Sequence, residues 1–419
     1  MESNRVIIIG AGIAGLFTAY YLNRRGLEVT ILDKDTGKDN CSYGNAGMIV
    51  PSHIIPLSSP GIISKGLKWM LEPESPFYIR PRLSLDLLKW GWEFKKASTD
   101  EHVKQAGPVL RDLLMASREL LIDFESEENS SFGYEKRGLL MFCNTEKGLK
   151  KEVEAAEIAQ QLGVPAEVLT ADQVKEMEPD LNLNIIGATY YPKDAHLHPG
   201  SLMDSLKELL VSRGVTFHWN TEIEKMDQSG GKIRTLHSSD GKEWKADTYI
   251  LCAGAWSAGI AKKFGTQMLM QAGKGYSITI EEPVKRPLNC GIFAERKVTM
   301  TPMFGSLRFA GTMEIVGTDT RINRAKMNGL KKSVCEYLPE FSMNDLEGHP
   351  VWTGLRPCSP DGMPYVGTVS SLKNVYASTG HAMMGMSLAP SCGKIVADLI
   401  TEGKSDLNHS LINPNRFAG

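Results

Sequence analysis

The chain has 419 residues, 42% of them hydrophobic and 23% charged, with a formal net charge of -2. That length allows two domains with sizeable cores. The near-neutral balance excludes a general electrostatic pull toward nucleic acid, and the ordinary composition excludes a disordered or fibrous chain. Seven scattered cysteines (Cys41, Cys143, Cys252, Cys290, Cys335, Cys358 and Cys392), with no C-x-x-C, point to reduced thiols in a cytoplasmic protein. His196 and His198 have no evident third ligand, so no metal site is expected.

The first thirty-odd residues organise the rest. Arg5 to Ile9 reads as a buried strand, and Gly10-Ala11-Gly12-Ile13-Ala14-Gly15 follows as G-x-G-x-x-G. Apolar residues from Ile13 to Arg25 recur at helical spacing, Gly26 marks the helix end, and Glu28 to Asp33 is a second strand. Each part has a reason. Gly10 permits the tight turn, Gly12 lets the backbone approach a pyrophosphate, and Gly15 lets helix and strand pack closely. The helix N-terminus presents free N–H groups to phosphate. Asp33, 23 residues after Gly10, is placed to accept hydrogen bonds from ribose hydroxyls. Val6 to Asn23 is an uncharged stretch of 18 residues, but three glycines within six residues suit neither a signal peptide nor a membrane span.

Asp39 to Pro51 is a loop whose small residues can pass close to a flat ring, with Ser42, Asn45, Ala46 and Gly47 as its contacts and Lys34 beside the ribose site. Pro51 to Pro81 reads as irregular. Leu83 to Lys96 reads as a helix with Leu83, Leu87, Trp90 and Phe94 on one face. Trp69, Trp90 and Trp92 with Lys68, Lys89, Lys95 and Lys96 fit either core packing or an interfacial membrane patch, so peripheral attachment to the inner face of a membrane stays open. Further helices are expected over Pro108–Glu127, Lys147–Leu162, Thr170–Glu178 and Gly200–Arg213, with strands over Gly187–Pro192 and Val215–Asn220. Ile233–His237 and Trp244–Cys252 read as hairpin strands; the second ends in Ala253-Gly254-Ala255-Trp256, small enough to approach a dinucleotide. Between Lys262 and Pro350 short β runs dominate around one helix, Arg324–Leu338, which suggests a mainly antiparallel substrate domain. Trp352–Gly367 reads as turn-rich, and Asn374–Ser378 as a strand leading through Gly380 and His381 into a helix from Met383 to Glu402. A single G-x-G-x-x-G suggests one resident nucleotide, FAD, reduced directly by a small substrate.

The segments VIIIGAGIAGL, VTILDK, CSYGNAG, ADTYILCAGAWS, GKGYSIT, FAGTMEIVGTDTRIN, WTGLRPCSPDGMPYVG and STGHAMMGMSLAPSCGKIVADLI together resemble the FAD-dependent D-amino-acid dehydrogenases, within the wider family of glycine oxidase, D-amino-acid oxidase and sarcosine oxidase. The resemblance spans essentially the whole chain. It implies a glutathione-reductase-like, Rossmann-type FAD domain (1–85, 145–180, 196–262 and 352–419) beside an antiparallel substrate sheet (86–144, 181–195 and 263–351), an α/β plus α+β architecture. It implies noncovalent FAD, since Cys358 is offset from the position where some sarcosine oxidases tether the cofactor. It implies that Arg356 holds a substrate carboxylate, as a guanidinium fork is suited to do. His381 either touches the flavin or caps the following helix. Tyr276 faces either the pocket or the sheet core, and His53 and Tyr43 are weaker candidates. Met384 and Gly385 join Gly380 on the cofactor side. The implied reaction is oxidative deamination of a D-amino acid, with hydride passing from Cα to flavin N5 and electrons going on to a quinone, a respiratory chain or oxygen. Oxidation of a secondary amino acid and a non-catalytic flavin-binding role are the alternatives. Gly44 and the Met383-Met384-Gly385-Met386 run depart from the family pattern and put the pocket wall in doubt.

Overall fold

Strands that are apolar on both faces must be covered on both, and the β-branched runs of the N-terminal unit are. A computed structural model describes residues 4–369 and 371–418 of the chain. The first sheet has six strands in the order Tyr365–Thr368, Val375–Thr379, Thr248–Leu251, Arg5–Ile9, Glu28–Leu32 and Thr216–His218. All neighbours are parallel except the first pair. The helix α1 (Ile13–Arg24) is buried on every side from Ile13 to Leu22. It lies among the sheet, the helix Pro199–Ser212 and the C-terminal helix Gly385–Thr401, where Gly393 lets the two backbones meet.

The second sheet has nine strands. Eight run in the order Val351–Cys358, Gln271–Glu281, Ser306–Ile315, Val298–Met303, Cys290–Phe293, Leu139–Cys143, Gly187–Tyr191 and Glu167–Thr170, and Phe77–Ile79 pairs beside Ser306–Ile315. The helix Arg324–Tyr337 covers one face through Met327, Leu330 and Val334. The other face looks toward the first sheet.

Several expectations are corrected here. Trp352–Gly367 is not mainly turn: Val351–Cys358 pairs with Gln271–Glu281 over eight residues, as an edge strand, where Pro357 is tolerated. Trp244–Cys252 divides: Glu243–Trp244 closes a three-stranded meander with Lys232–Ser238, and Thr248–Leu251 joins the parallel sheet. Pro51–Pro81 contains a helix, α2 (Ile62–Met70), and the strand Phe77–Ile79. The segments Phe77–Ile79, Glu167–Thr170 and Val351–Cys358, expected in the FAD domain, belong to the large sheet. After α3 (Leu85–Ala97) comes α4 (Asp100–Glu127), which starts earlier than expected with Pro108 inside it. Expected in the substrate domain, α4 packs Leu110, Leu113, Leu114, Leu121 and Phe124 into the core around α1. Leu83, expected on the buried face of α3, is fully exposed.

Candidate active site

One cavity of about 1300 Å³ runs between the two sheets. It exceeds an ordinary small-molecule pocket of roughly 300–1,000 Å³.

Its first end is built by the glycine turn. Gly10, at φ +112°, sits against the carbonyl of Cys252, so any side chain there would collide with the neighbouring strand. Gly15 packs on the Gly10 carbonyl and lies behind the cavity wall. A Cβ on Gly12 would meet only Ser42 Oγ, at 3.5 Å, which leaves this turn open toward the cavity. Ser42 Oγ accepts from Ile13 N (3.1 Å), fixing the loop against the helix N-terminus. Asp33 ends its strand at the cavity and accepts from Ala11 N (2.6 Å) and Asp35 N (2.8 Å). Burial pushes its carboxyl pKa up. Lys34 Nζ lies 3.9 Å from the centre of the Trp256 ring, and Ala253, Gly254 and Trp256 line the same wall. These features fit a dinucleotide: an open glycine turn, a helix N-terminus and an acid at the second strand end.

The loop Asp39–Pro51 crosses the cavity between the sheets. Asn45 and Ala46 line it, while Gly47 (φ +71°) is packed behind against the Leu197 carbonyl and donates to Asn45 Oδ1 (2.8 Å). The large sheet holds this loop through two groups that the sequence did not single out. Arg308, buried, donates to the carbonyls of Tyr43 (2.9 Å) and Asn45 (2.6 Å), and Ser277 Oγ donates to the Gly44 carbonyl (3.1 Å). A Cβ at Gly44 would overlap the Trp352 indole, so this departure from the family pattern is matched by a tryptophan from the edge strand.

Arg356 reaches the cavity from that edge strand. Its guanidinium reaches diagonally across the neighbouring strand, from its register partner Gly273 to Gly275, where a Cβ would overlap it. One nitrogen donates to the Thr312 carbonyl at 2.5 Å. No carboxylate among the described residues lies within ion-pair range of Arg356, and burial pushes its pKa down. The Thr312 carbonyl is aimed by a bulge: between Lys274–Glu314 and Tyr276–Gly311 the strand Ser306–Ile315 carries one extra residue, and Thr312 adopts φ +70° there. A β-branched residue in that region carries roughly 1–3 kcal/mol of strain.

Of the other candidates, His381 is buried in the cavity wall and burial pushes its pKa down to about 4. Its ring does not cap the C-terminal helix, and its Nε2 has no hydrogen-bond partner among the described residues. That helix begins at the cavity without a side-chain cap, with Met384 and Gly385 on the lining. Gly380 (φ +77°) is packed against Tyr365, behind the wall. His53 lines the cavity. Tyr276 borders it, but its side chain belongs to the sheet core: the hydroxyl donates to Glu314 and accepts from Asn323 N (3.1 Å). Tyr43 donates to Asp204 (2.6 Å) on the helix Pro199–Ser212 and takes no part in the cavity. Cys358 Sγ lies against Met313 within the wall. The structure thus brings the dinucleotide turn, the Asp39–Pro51 loop, Arg356, His381 and His53 around one space.

Comparison with known proteins agrees with this geometry. Residues 5–399 match the DAO family, described as FAD-dependent oxidoreductases. A D-amino acid dehydrogenase of Granulibacter bethesdensis is 31% identical over 99% of this chain and all of its own length, and one of Helicobacter pylori is 30% identical over 97% of each. Among solved structures, glycine oxidase from Geobacillus kaustophilus covers 99% of the chain with a TM-score of 0.79 and 22% identity, and L-proline dehydrogenase from P. horikoshii covers all of it with a TM-score of 0.75 and 20% identity. The open glycine turn, the acid at the second strand end and a family match over almost the whole chain lead to one conclusion: the protein belongs to the DAO family of FAD-dependent oxidoreductases.

Proposed function

We propose that the protein oxidises D-amino acids to 2-imino acids, which water converts to 2-oxo acids and ammonia. The observation that carries this reading is the Arg356 guanidinium, half-buried at the cavity without an acidic partner among the described residues. An unpaired buried charge is destabilising by several kcal/mol, and a substrate carboxylate completes the pair. The planar fork binds it in a bidentate manner and fixes the position of Cα. The names of the relatives supply the amino-acid class and the D configuration. Bound FAD supplies the acceptor for two electrons and the Cα hydrogen. The chain's own contribution is placement: Arg356 holds one end of the substrate, the Asp39–Pro51 loop and the Ala253–Trp256 turn hold the cofactor, and the cavity walls exclude bulk water. Such alignment can account for roughly 7–11 kcal/mol of barrier at best.

The route by which electrons leave belongs to the same reading. Both α2 and α3 border the cavity and carry exposed apolar side chains: Leu67 and Leu71 on or just after α2, and Leu85, Leu88 and Trp92 on α3, Leu71 at 85% and Leu85 at 77% exposure. Lys68, Lys89, Lys95 and Lys96 are exposed on the same helices. Apolar residues ringed by lysines match an anionic lipid surface. We infer a peripheral membrane contact there, with a lipid-borne quinone as acceptor.

Anaerobic flavin bleaching across D- and L-amino acids, glycine, sarcosine and both prolines is the test. Bleaching by several primary D-amino acids and not their L forms is expected. Bleaching by N-substituted substrates alone would replace the proposal with secondary-amine oxidation, and no bleaching would overturn it.

A further inference from the structure

Behind His53 a line of polar groups leads from the cavity into the protein. His53 Nδ1 lies 3.1 Å from Ser52 Oγ. Ser52 Oγ donates to Asp194 Oδ2 at 2.5 Å, and Ser52 N donates to Asp194 Oδ1 at 3.0 Å. Asp194 is completely buried, on the turn between Gly187–Tyr191 and Ala195–His196, with its own carbonyl accepting from Gly138 N (3.0 Å). With Asp194 ionised, as it is above about pH 7, proton counting fixes the direction of every bond. An ionised carboxylate only accepts, so the single Ser52 proton points at Asp194. Ser52 Oγ must then accept from His53, which places the imidazole proton on Nδ1. The other ring nitrogen, Nε2, is left with a lone pair on a residue that lines the cavity, the ring's one hydrogen bond among the described residues being that to Ser52.

Resting on the reading of the cavity as an amino-acid site, we propose that His53, Ser52 and Asp194 form a proton relay that takes the ammonium proton of the substrate, with Asp194 as its terminal acceptor. An amino acid enters as its ammonium form, which has no lone pair to expel a hydride from Cα. In the relay one N–H bond of the ammonium breaks and one forms at His53 Nε2. The Nδ1 proton passes to Ser52 Oγ, and the Ser52 proton passes to Asp194 Oδ2. The products are a neutral amine, a neutral imidazole in its other tautomer and a neutral carboxyl group. The Cα hydrogen can then leave with its electron pair to bound FAD as the nitrogen lone pair forms the C=N bond. Once the product has gone, the proton returns through the same three groups to water in the cavity. Ser52 and Asp194 act through His53 and are positioning residues.

The surroundings suit this path. Burial pushes His53 down to about 4 and the field of Lys297 acts in the same direction, so the ring conducts a proton without holding one. Burial pushes Asp194 up to about 7, against the hydrogen bonds from Ser52 and the field of Arg118, which places the end of the relay in the neutral range. Lys297 faces Glu152 at 3.6 Å, and Tyr134, Tyr190, Tyr191 and Cys290 are the neutral titratable neighbours of Asp194.

The test is anaerobic stopped-flow reduction of the holoenzyme as a function of pH, using an amino acid that bleaches the flavin. The wild-type rate should rise with pH around an apparent pKa near 7. In Asp194→Asn and Ser52→Ala the rate at pH 7 should fall at least tenfold and the rising limb should move toward the range of the free substrate ammonium. Ser52→Thr, which keeps the hydroxyl, should restore the wild-type profile. Binding of a carboxylate lacking the amine, read from the flavin spectrum, should change less than twofold in all three. Uniformly lower rates with an unmoved pH profile would overturn the relay and leave a structural role. A second readout needs no turnover: ¹⁵N spectra of histidine-labelled wild-type holoenzyme should show His53 protonated on Nδ1, and the opposite tautomer would overturn the proposal whether or not any amino acid is oxidised.

Discussion

Arg356 depends on two neighbours that have no charge. Gly275 leaves the space its guanidinium occupies, and the Thr312 carbonyl takes one of its N–H groups. The anchor can therefore be lost in two distinguishable ways. Arg356→Lys keeps the charge but loses the planar fork. Its kcat/KM should fall roughly 10²–10³-fold, about 3–4 kcal/mol, as the bidentate geometry is lost, while the yellow FAD spectrum is retained. Gly275→Ala pushes the guanidinium aside by one methyl group. It should raise KM at least tenfold with little change in melting temperature, and an unchanged KM would show that the guanidinium has room to move. The arginine stood out in the sequence because its motif, GLRP, is part of the family resemblance and a guanidinium suits a carboxylate. Thr312 did not, because a bulge is a mismatch between two strands and neither strand records it alone. Asp194 was hidden for a related reason: an aspartate in a short turn reads as solvated until the fold closes over it.

At the level of elements, α1 was readable to within a residue, since a glycine turn, a buried helix and two apolar strands each enforce the others. By contrast, α2 was not. It follows a run of prolines and serines, starts after Gly61 at φ +78° and spans only nine residues with a glycine inside, so its apolar stripe (Ile62, Ile63, Leu67, Met70) is too short to declare a helix by pattern alone. Its amphipathic neighbour α3 divides its tryptophans: Trp90 is buried, stacks on Phe94 at 4.9 Å and donates to the Cys358 carbonyl (2.9 Å), whereas Trp92 points outward. The core-packing reading thus holds for Trp90, and the proposed membrane contact rests on Trp92 and its exposed neighbours. Sedimentation with vesicles containing anionic phospholipid should carry the protein down at low salt. A Leu67→Ser, Leu71→Ser, Trp92→Ser variant should lose most of that binding while still oxidising substrate with a soluble dye. Equal sedimentation of both proteins would exclude this face as the contact.

For the molecule as a whole, burial of titratable groups sets how stability responds to acid. His53, His196 and His381 are each pushed down to about 4 from an ordinary value near 6.5, so the unfolded chain takes up their protons first and stability is lost as pH falls from about 6.5 to about 4. Asp194 and Glu178 are pushed up to about 7 by burial, and they act in the opposite sense, holding protons in the folded state that the unfolded chain releases. Each group contributes a slope of up to about 1.4 kcal/mol per pH unit, so the five nearly balance, leaving about one proton in excess between pH 5 and 6. Asp194→Asn removes one of the two opposing groups. Denaturant unfolding at pH 6 and pH 5 should show its stability falling about 1.4 kcal/mol more steeply than that of the wild type; parallel lines would mean that Asp194 is ionised in the folded protein. The two-layer plan was legible from the switch between βαβ patterning and short antiparallel runs. The assignment of segments to layers was less so, because the chain passes between the sheets several times and short edge strands such as Phe77–Ile79 carry too few residues to declare a partner.

One of those passages bears on how the enzyme meets its substrate. The strand Val351–Cys358 belongs to the large sheet, yet by Tyr365–Thr368 the chain is part of the parallel one, and the Pro357 carbonyl already accepts from Ala382 N at 2.9 Å. Arg356 therefore stands at a seam sewn by the polypeptide itself. The two halves cannot gape at that edge to admit a ligand without moving Arg356, and α3 clamps the same edge through the Trp90 bond to the Cys358 carbonyl, so traffic must pass elsewhere along the cavity rim. The same stitching fixes the distance from Arg356 to the parallel sheet covalently, so under the proposed function inserting one residue between Cys358 and Tyr365 should lower the anaerobic flavin-reduction rate for every substrate alike.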